Sequence, residues 1–61
     1  MTYAEAVNKA KEESWDKKKT LYVVMIGDNA LIVTPAQYRK AHAEEPYTKV
    51  YGNYAERVPA A

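Results

Sequence analysis

The single histidine is the first side chain whose type suggests chemistry. His42 precedes Glu44 and Glu45, and an imidazole near carboxylates can serve metal binding or general base catalysis. The sequence has no cysteine, no second histidine and no His-Glu-x-x-His motif, so the usual further metal ligands are missing. We therefore interpret His42 as a surface or partly packed residue, and we expect neither a metal ion nor another cofactor.

A catalytic nucleophile would have to be a hydroxyl group, because the chain contains no cysteine. Ser14 and the threonines lie outside any recognisable nucleophile motif, and the sequence identifies no carboxylate that would orient the histidine. Gly27 and Gly52 are the only glycines, which is too few for a phosphate-binding loop. We therefore expect a non-enzymatic protein with no small-molecule substrate.

Tyrosine is the most informative residue type, since the chain has six tyrosines and no phenylalanine. A large ring with a polar hydroxyl suits half-buried positions, either at the edge of a core or in a protein–protein interface. We assign Tyr3 and Tyr38 to the core edge, whereas the cluster after position 46 leaves both alternatives open. Interface hot spots are enriched in Tyr, Trp and Arg. The candidate partner-binding residues are Tyr22, Tyr47, Tyr51, Tyr54 and Arg57.

Basic residues offer a second candidate surface. The run from 17 to 19 is most simply a solvated link whose charge complements a helix C-terminus. The alternative is contact with nucleic-acid phosphates, with Trp15 or tyrosines stacking on bases. A net charge of +1 gives no long-range attraction for a polyanion, so we rank this alternative below protein binding. The candidate nucleic-acid contacts are Lys17, Lys18, Lys19, Arg39 and Lys40.

Two helices are predicted among the secondary-structure elements that position these side chains. Thr2 and Glu5 have capping-box spacing, and small residues at helical intervals predict an amphipathic helix over Thr2–Ser14. Trp15 then closes this helix or begins the connection, as a core or lid residue. Thr34-Pro35-Ala36-Gln37 predicts a second helix from 35 to 43 or 44, with Ala36, Tyr38, Ala41 and His42 on its inner side.

Strands are predicted over Leu21–Val33 and Tyr47–Val58. The first stretch is a β-hairpin that is apolar on both faces, so both faces should be covered. Its turn is either the two residues Gly27-Asp28 or a three-residue loop that includes Asn29. Gly52-Asn53 is either a second tight turn or a bulge within one long strand. Residues 59–61 are expected to form a loose tail.

These elements predict one small α+β domain over 1–61. The order is α-β-β-α-β, with an antiparallel sheet of three or four strands packed by two short helices. The core is limited, because only thirteen of the 61 residues are Val, Ile, Leu, Met or Trp, and no disulfide can form. No apolar run approaches the roughly 20 residues that cross a bilayer, so we expect a cytoplasmic protein without membrane contact.

The leading functional hypothesis is a small protein-binding module, an inhibitor or adaptor that occupies a partner protein's surface. In size and style the chain is similar to phage-encoded accessory proteins that bind and redirect host machinery, although no motif identifies a family. The alternatives are a structural or assembly protein that self-associates through its sheet, and a nucleic-acid-binding protein. The expected partner is therefore another protein or a second copy of this chain.

Overall fold

Two helices and four strands make up the structure, a computed structural model that describes residues 1–58. The elements are α1 (Tyr3–Lys17), β1 (Leu21–Ile26), β2 (Asn29–Val33), α2 (Pro35–Ala41), β3 (Tyr47–Tyr51) and β4 (Tyr54–Val58). The strands form one antiparallel sheet in the order β2-β1-β3-β4. The predicted α+β class and element order are confirmed, and the optional fourth strand is present. The tail expected at 59–61 lies outside the described residues.

Both hairpins turn through two residues. Ile26 pairs with Asn29 across the first turn, and Tyr51 pairs with Tyr54 across the second. The first turn residues, Gly27 and Gly52, have φ of 62° and 60°, which glycine adopts without a steric penalty. A glycine at this position is what a type II′ turn requires. The two-residue alternative is therefore confirmed at the first turn, and the bulge at Gly52-Asn53 is wrong.

Helix α1 covers one face of the sheet, here called the first face. Thr2 caps it through the predicted reciprocal bonds with Glu5, and the helix runs three residues beyond the predicted end at 14. Its small side chains Ala6 and Ala10 are fully buried against Leu21, Val23 and Val50, among others. Small residues let the helix backbone approach the sheet closely, which explains how so short a chain closes a core here.

Helix α2 covers part of the opposite, second face. Thr34 caps it with Gln37 as predicted, and the helix ends at Ala41. Among residues 35–41 only Tyr38 is buried, with 8% of its surface exposed. The prediction that Ala36 and Ala41 would face inward is wrong, because both are exposed, whereas His42, just beyond the helix, is half-buried as a partly packed residue would be. A helix of two turns places only one large side chain against the sheet.

Three tyrosines fill the space between α2 and the second face. The Tyr22 and Tyr47 rings stack with centroids 4.3 Å apart, and Tyr38 lies 5.2 Å from Tyr22 and 4.5 Å from Tyr47. The Tyr38 hydroxyl donates its one proton mainly to the carbonyl oxygen of Glu45, at 2.6 Å, with the carbonyl oxygen of Ala43 as a second, longer acceptor at 3.2 Å. These bonds hold the connection from α2 to β3 in place, because a buried phenol needs an acceptor.

The two helices shelter the middle of the sheet and leave apolar side chains exposed at its two ends. Near the first turn, Ile26 and Leu31 are 40% and 43% exposed. At the second turn lie Trp15, Tyr51 and Tyr54, which are more exposed still. The prediction that both faces of the first hairpin would be covered therefore holds for the middle of the sheet and fails near the turn. No helix within residues 1–58 is both long enough and apolar enough to cross a membrane.

Candidate partner-binding site

Three aromatic side chains surround the second turn, and we call this surface the aromatic end: Trp15, Tyr51 and Tyr54. Their exposed fractions are 68%, 56% and 56%, high values for rings of this size. Tyr51 and Tyr54 are cross-strand partners on the second face, beyond the part that α2 covers. Trp15 comes from α1 on the first face. The aromatic end therefore brings Trp15 together with two tyrosines that lie 36 and 39 positions later in the sequence.

A buried serine holds the aromatic end together. The Ser14 hydroxyl donates to the carbonyl oxygen of Lys19 at 2.6 Å and accepts from the backbone N–H of Gly52 at 2.8 Å. Its own backbone carbonyl accepts from the N–H groups of Lys18 and Lys19. One residue thus fixes the end of α1, the chain leaving it and the turn between β3 and β4.

The turn glycine lies directly beneath the tryptophan ring. A Cβ atom placed on Gly52 would be 3.2 Å from Cε3 of Trp15, which is tighter than an ordinary van der Waals contact. The missing side chain therefore leaves room for the indole. This contact orients Trp15 over the turn, while most of the ring stays in contact with solvent.

A groove of about 450 Å³ opens at the aromatic end. It is lined by Ser14, Trp15, Lys18, Tyr51, Gly52, Asn53 and Tyr54. A smaller depression on the other side of the indole is lined by Lys11, Glu12, Trp15 and Asn53. The indole thus stands between two concave surfaces, and both carry a lysine on their rim.

Both positively and negatively charged side chains lie near the groove. Lys17, Lys18 and Lys19 are exposed where α1 ends. Glu56 lies on the same strand and face as Tyr54, and a hydrogen bond to its carboxylate raises the pKa of the Tyr54 phenol, with the negative charge adding to the effect. Glu56 also pairs across the strands with Lys49. The lysine run therefore places three consecutive positive charges at this end.

The remaining candidate partner-binding residues lie elsewhere. Tyr22 and Tyr47 are packed beneath α2, where partial burial and then the neighbouring Tyr22 phenol raise the pKa of Tyr47. Arg57 lies 5.8 Å above the ring of Tyr3 on the first face. Tyr3 is itself hydrogen-bonded to Thr48, with 2.7 Å between Oη and Oγ1. The structure therefore brings only Tyr51 and Tyr54 of the predicted set together as exposed neighbours.

A separate depression of about 440 Å³ contains Arg57 and Tyr47. Tyr3, Val23 and Met25 are among its other lining residues. The guanidinium is held against an aromatic ring here, which is a favourable cation–π arrangement. Since the arginine already has this partner, we regard the depression as a secondary feature.

The predicted nucleic-acid contacts are divided between the two faces. The run of lysines from 17 to 19 lies at the end of α1, which packs on the first face. Arg39 and Lys40 are exposed on α2, which packs on the second face. The five basic residues therefore do not form one continuous surface, although the lysine run does lie beside exposed aromatic rings.

His42 has a partner that the sequence did not reveal. Its Nδ1 lies 3.1 Å from Oε2 of Glu45, so a carboxylate does orient the imidazole. The interaction follows the end of α2 and involves no neighbouring hydroxyl nucleophile among the hydrogen bonds of residues 1–58. Within those residues there is also no group of three or more His, Cys, Asp or Glu side chains that could hold a metal ion.

Sequence reasoning missed the residues that shape the groove. Trp15 was expected as a core or lid residue, and the core assignment is wrong. Because Ala6, Ala10 and Ser14 are the buried positions of α1, the next residue is rotated about 100° away from the sheet, and this signal was available. The contact of Ser14 with Gly52 had no local signal, since 38 residues separate the two.

Comparisons with protein-family models, with curated proteins and with solved structures found no match to this chain. Function therefore has to be inferred from the geometry and chemistry of the site itself.

Proposed function

We propose that this protein is a small protein-binding module that acts as an inhibitor or adaptor by occupying the surface of a partner protein. The observation that carries the proposal is the aromatic end, where Trp15, Tyr51 and Tyr54 are exposed around one groove. Tryptophan and tyrosine dominate the binding energy of protein interfaces, because they bury a large area with few rotatable bonds.

The rigidity of this surface supports the same function. Ser14 is almost fully buried and joins α1 to the second turn, so the rings are attached to fixed backbone. A preorganised surface loses less conformational entropy on binding, which raises affinity for a given contact area. The exposed aliphatic residues near the first turn, Ile26 and Leu31, line none of the three concave surfaces described above.

Affinity capture with matched variants tests the proposal. The tagged protein, expressed in its own source cells, should recover one partner in a complex of defined stoichiometry. The double variant Tyr51→Ser, Tyr54→Ser should weaken that complex by roughly a hundredfold or more, because hot-spot tyrosines are worth on the order of 2 kcal/mol each and neighbouring contributions are not fully additive. Leu31→Ser, which changes an exposed apolar residue far from the groove, is the control and should bind normally. Equal loss in both variants would contradict the assigned surface.

Self-association is the second candidate, and the exposed edge strand β4 favours it. Residues 54–57 are all exposed, and the pairing of Tyr51 with Tyr54 implies that the backbone groups of Ala55 and Arg57 point away from β3. Unpaired edge groups can bind the same edge of a second copy. Analytical ultracentrifugation decides between the candidates, since a stable monomer at micromolar concentration removes this one.

A further inference from the structure

We infer that the segment bound at the aromatic end is a linear, acidic peptide stretch of the partner protein that carries an apolar anchor residue. This inference rests on the proposed function and adds the chemistry of the partner. Its evidence is the combination of a narrow aromatic groove with the lysine run at 17–19, which the fold places at the same end of the sheet.

The shape of the site favours a linear segment. A groove of about 450 Å³ is in the size range of small-ligand and side-chain pockets, and it holds a few side chains. It runs past the Gly52 turn, over which the indole of Trp15 lies. The exposed face of Trp15 and the two tyrosine rings form its walls. A proline or aliphatic side chain of an extended peptide fits such walls, as in other aromatic-lined peptide grooves.

The charge around the groove favours an acidic segment. Lys18 lines the groove, and it is held in a left-handed conformation with φ of 53° at the end of α1. Lys17 and Lys19 flank it, and all three are exposed. Acidic side chains beside the anchor would meet these ammonium groups, which steers association and excludes basic competitors.

A peptide fits these charges better than a nucleic acid does. Single-stranded nucleic acid needs a positive groove that follows the backbone over several phosphates. Here the positive charge is confined to one rim, where α1 ends and the lysine run begins the connection to β1. The other predicted basic contacts, Arg39 and Lys40, belong to the helix on the second face, away from α1.

Selection from a random peptide display library tests the inference without a known partner. Peptides selected on the wild-type protein should be enriched in Asp and Glu around a proline or aliphatic residue. Synthetic copies should bind more weakly as salt rises, because exposed charge pairs are screened. Substituting Trp15→Ala should abolish binding. The triple variant Lys17→Gln, Lys18→Gln, Lys19→Gln should weaken it by about tenfold, given the modest value of each exposed pair.

The control variant is Arg39→Gln, Lys40→Gln, which removes exposed positive charge from α2 and should leave peptide binding unchanged. Circular dichroism of each variant verifies that it is folded. Selected peptides without acidic enrichment, or insensitive to the lysine substitutions, would overturn the acidic partner and leave the protein-binding function standing. A labelled oligothymidylate that binds tightly and depends on Trp15, with no peptide selected, would overturn the inference in favour of nucleic acid. Failure of the capture experiment instead would count against the proposed function.

Discussion

Single hydrogen bonds and single missing atoms decide the shape of the groove. The hydroxyl of Ser14 satisfies one donor and one acceptor of the backbone, and the absent Cβ of Gly52 makes room for the indole. Neither residue offers chemistry of its own. Both act by positioning Trp15, which is the residue a partner would contact.

The two turn glycines allow a matched test at the residue scale. Gly52→Ala and Gly27→Ala both place a side chain at a positive φ, and each should lower the free energy of unfolding by about 1–3 kcal/mol. Only the alanine at 52 would also meet the indole, because nothing lies within 4 Å of a Cβ at Gly27. We expect a changed tryptophan emission spectrum for Gly52→Ala alone. Identical spectra for the two variants would contradict the contact.

Local sequence patterns correctly predicted the features of single elements, but they failed for features that depend on packing between elements. Both capping boxes were predicted and are confirmed, since a cap depends on residues three positions apart. The sequence predicted four inward-facing residues for α2, but only Tyr38 is buried among residues 35–41. The tyrosines that Tyr38 contacts come from β1 and β3, far away in the sequence. The sequence left the two-residue turns as one of two alternatives at each hairpin. Only the strand register distinguishes such a turn from a longer loop or a bulge.

The cap of α2 gives a prediction at the element scale. Thr34→Ala removes the acceptor for the backbone N–H of Gln37 and should lower the free energy of unfolding by about 1 kcal/mol. Gln37→Ala removes the reciprocal bond, so the double variant should lose less than the sum of the single variants. Urea unfolding measures all three. Lys40→Ala, an exposed change on the same helix, is the control with little expected effect.

At the scale of the whole molecule, the sheet is covered at its centre and open at its ends. The sequence predicted apolar residues on both faces of the hairpin and two helices packed on the sheet, and the structure places one helix on each face. The sequence could not show which apolar residues stay uncovered, because this depends on how far each helix extends along the sheet. The tyrosine cluster accordingly divided: Tyr47 packs beneath α2, while Tyr51 and Tyr54 stay exposed.

Substitutions of buried residues should therefore affect stability, whereas substitutions of exposed aromatic residues should affect partner binding. Val24→Ala removes fully buried methyl groups and should lower the free energy of unfolding by about 1–3 kcal/mol. Tyr51→Ala and Tyr54→Ala should change it far less, since both rings are mostly exposed, and should instead weaken partner binding. Thermal denaturation alongside the capture assay measures both quantities. Tyrosine variants that unfold as readily as Val24→Ala would place these rings in the core and remove the proposed interface.

The tether at Ser14 also links recognition to folding. Its two side-chain bonds join positions 5 and 38 residues apart, so the groove exists only when the helix and both later strands are assembled. An unfolded chain keeps the same rings and lysines without their arrangement. A ligand of the groove should consequently bind the native state alone, and by mass action it should raise the melting temperature by an amount that grows with the logarithm of its concentration relative to its Kd. Ligands of this protein can thus be sought by thermal-shift measurements, which do not require an activity assay.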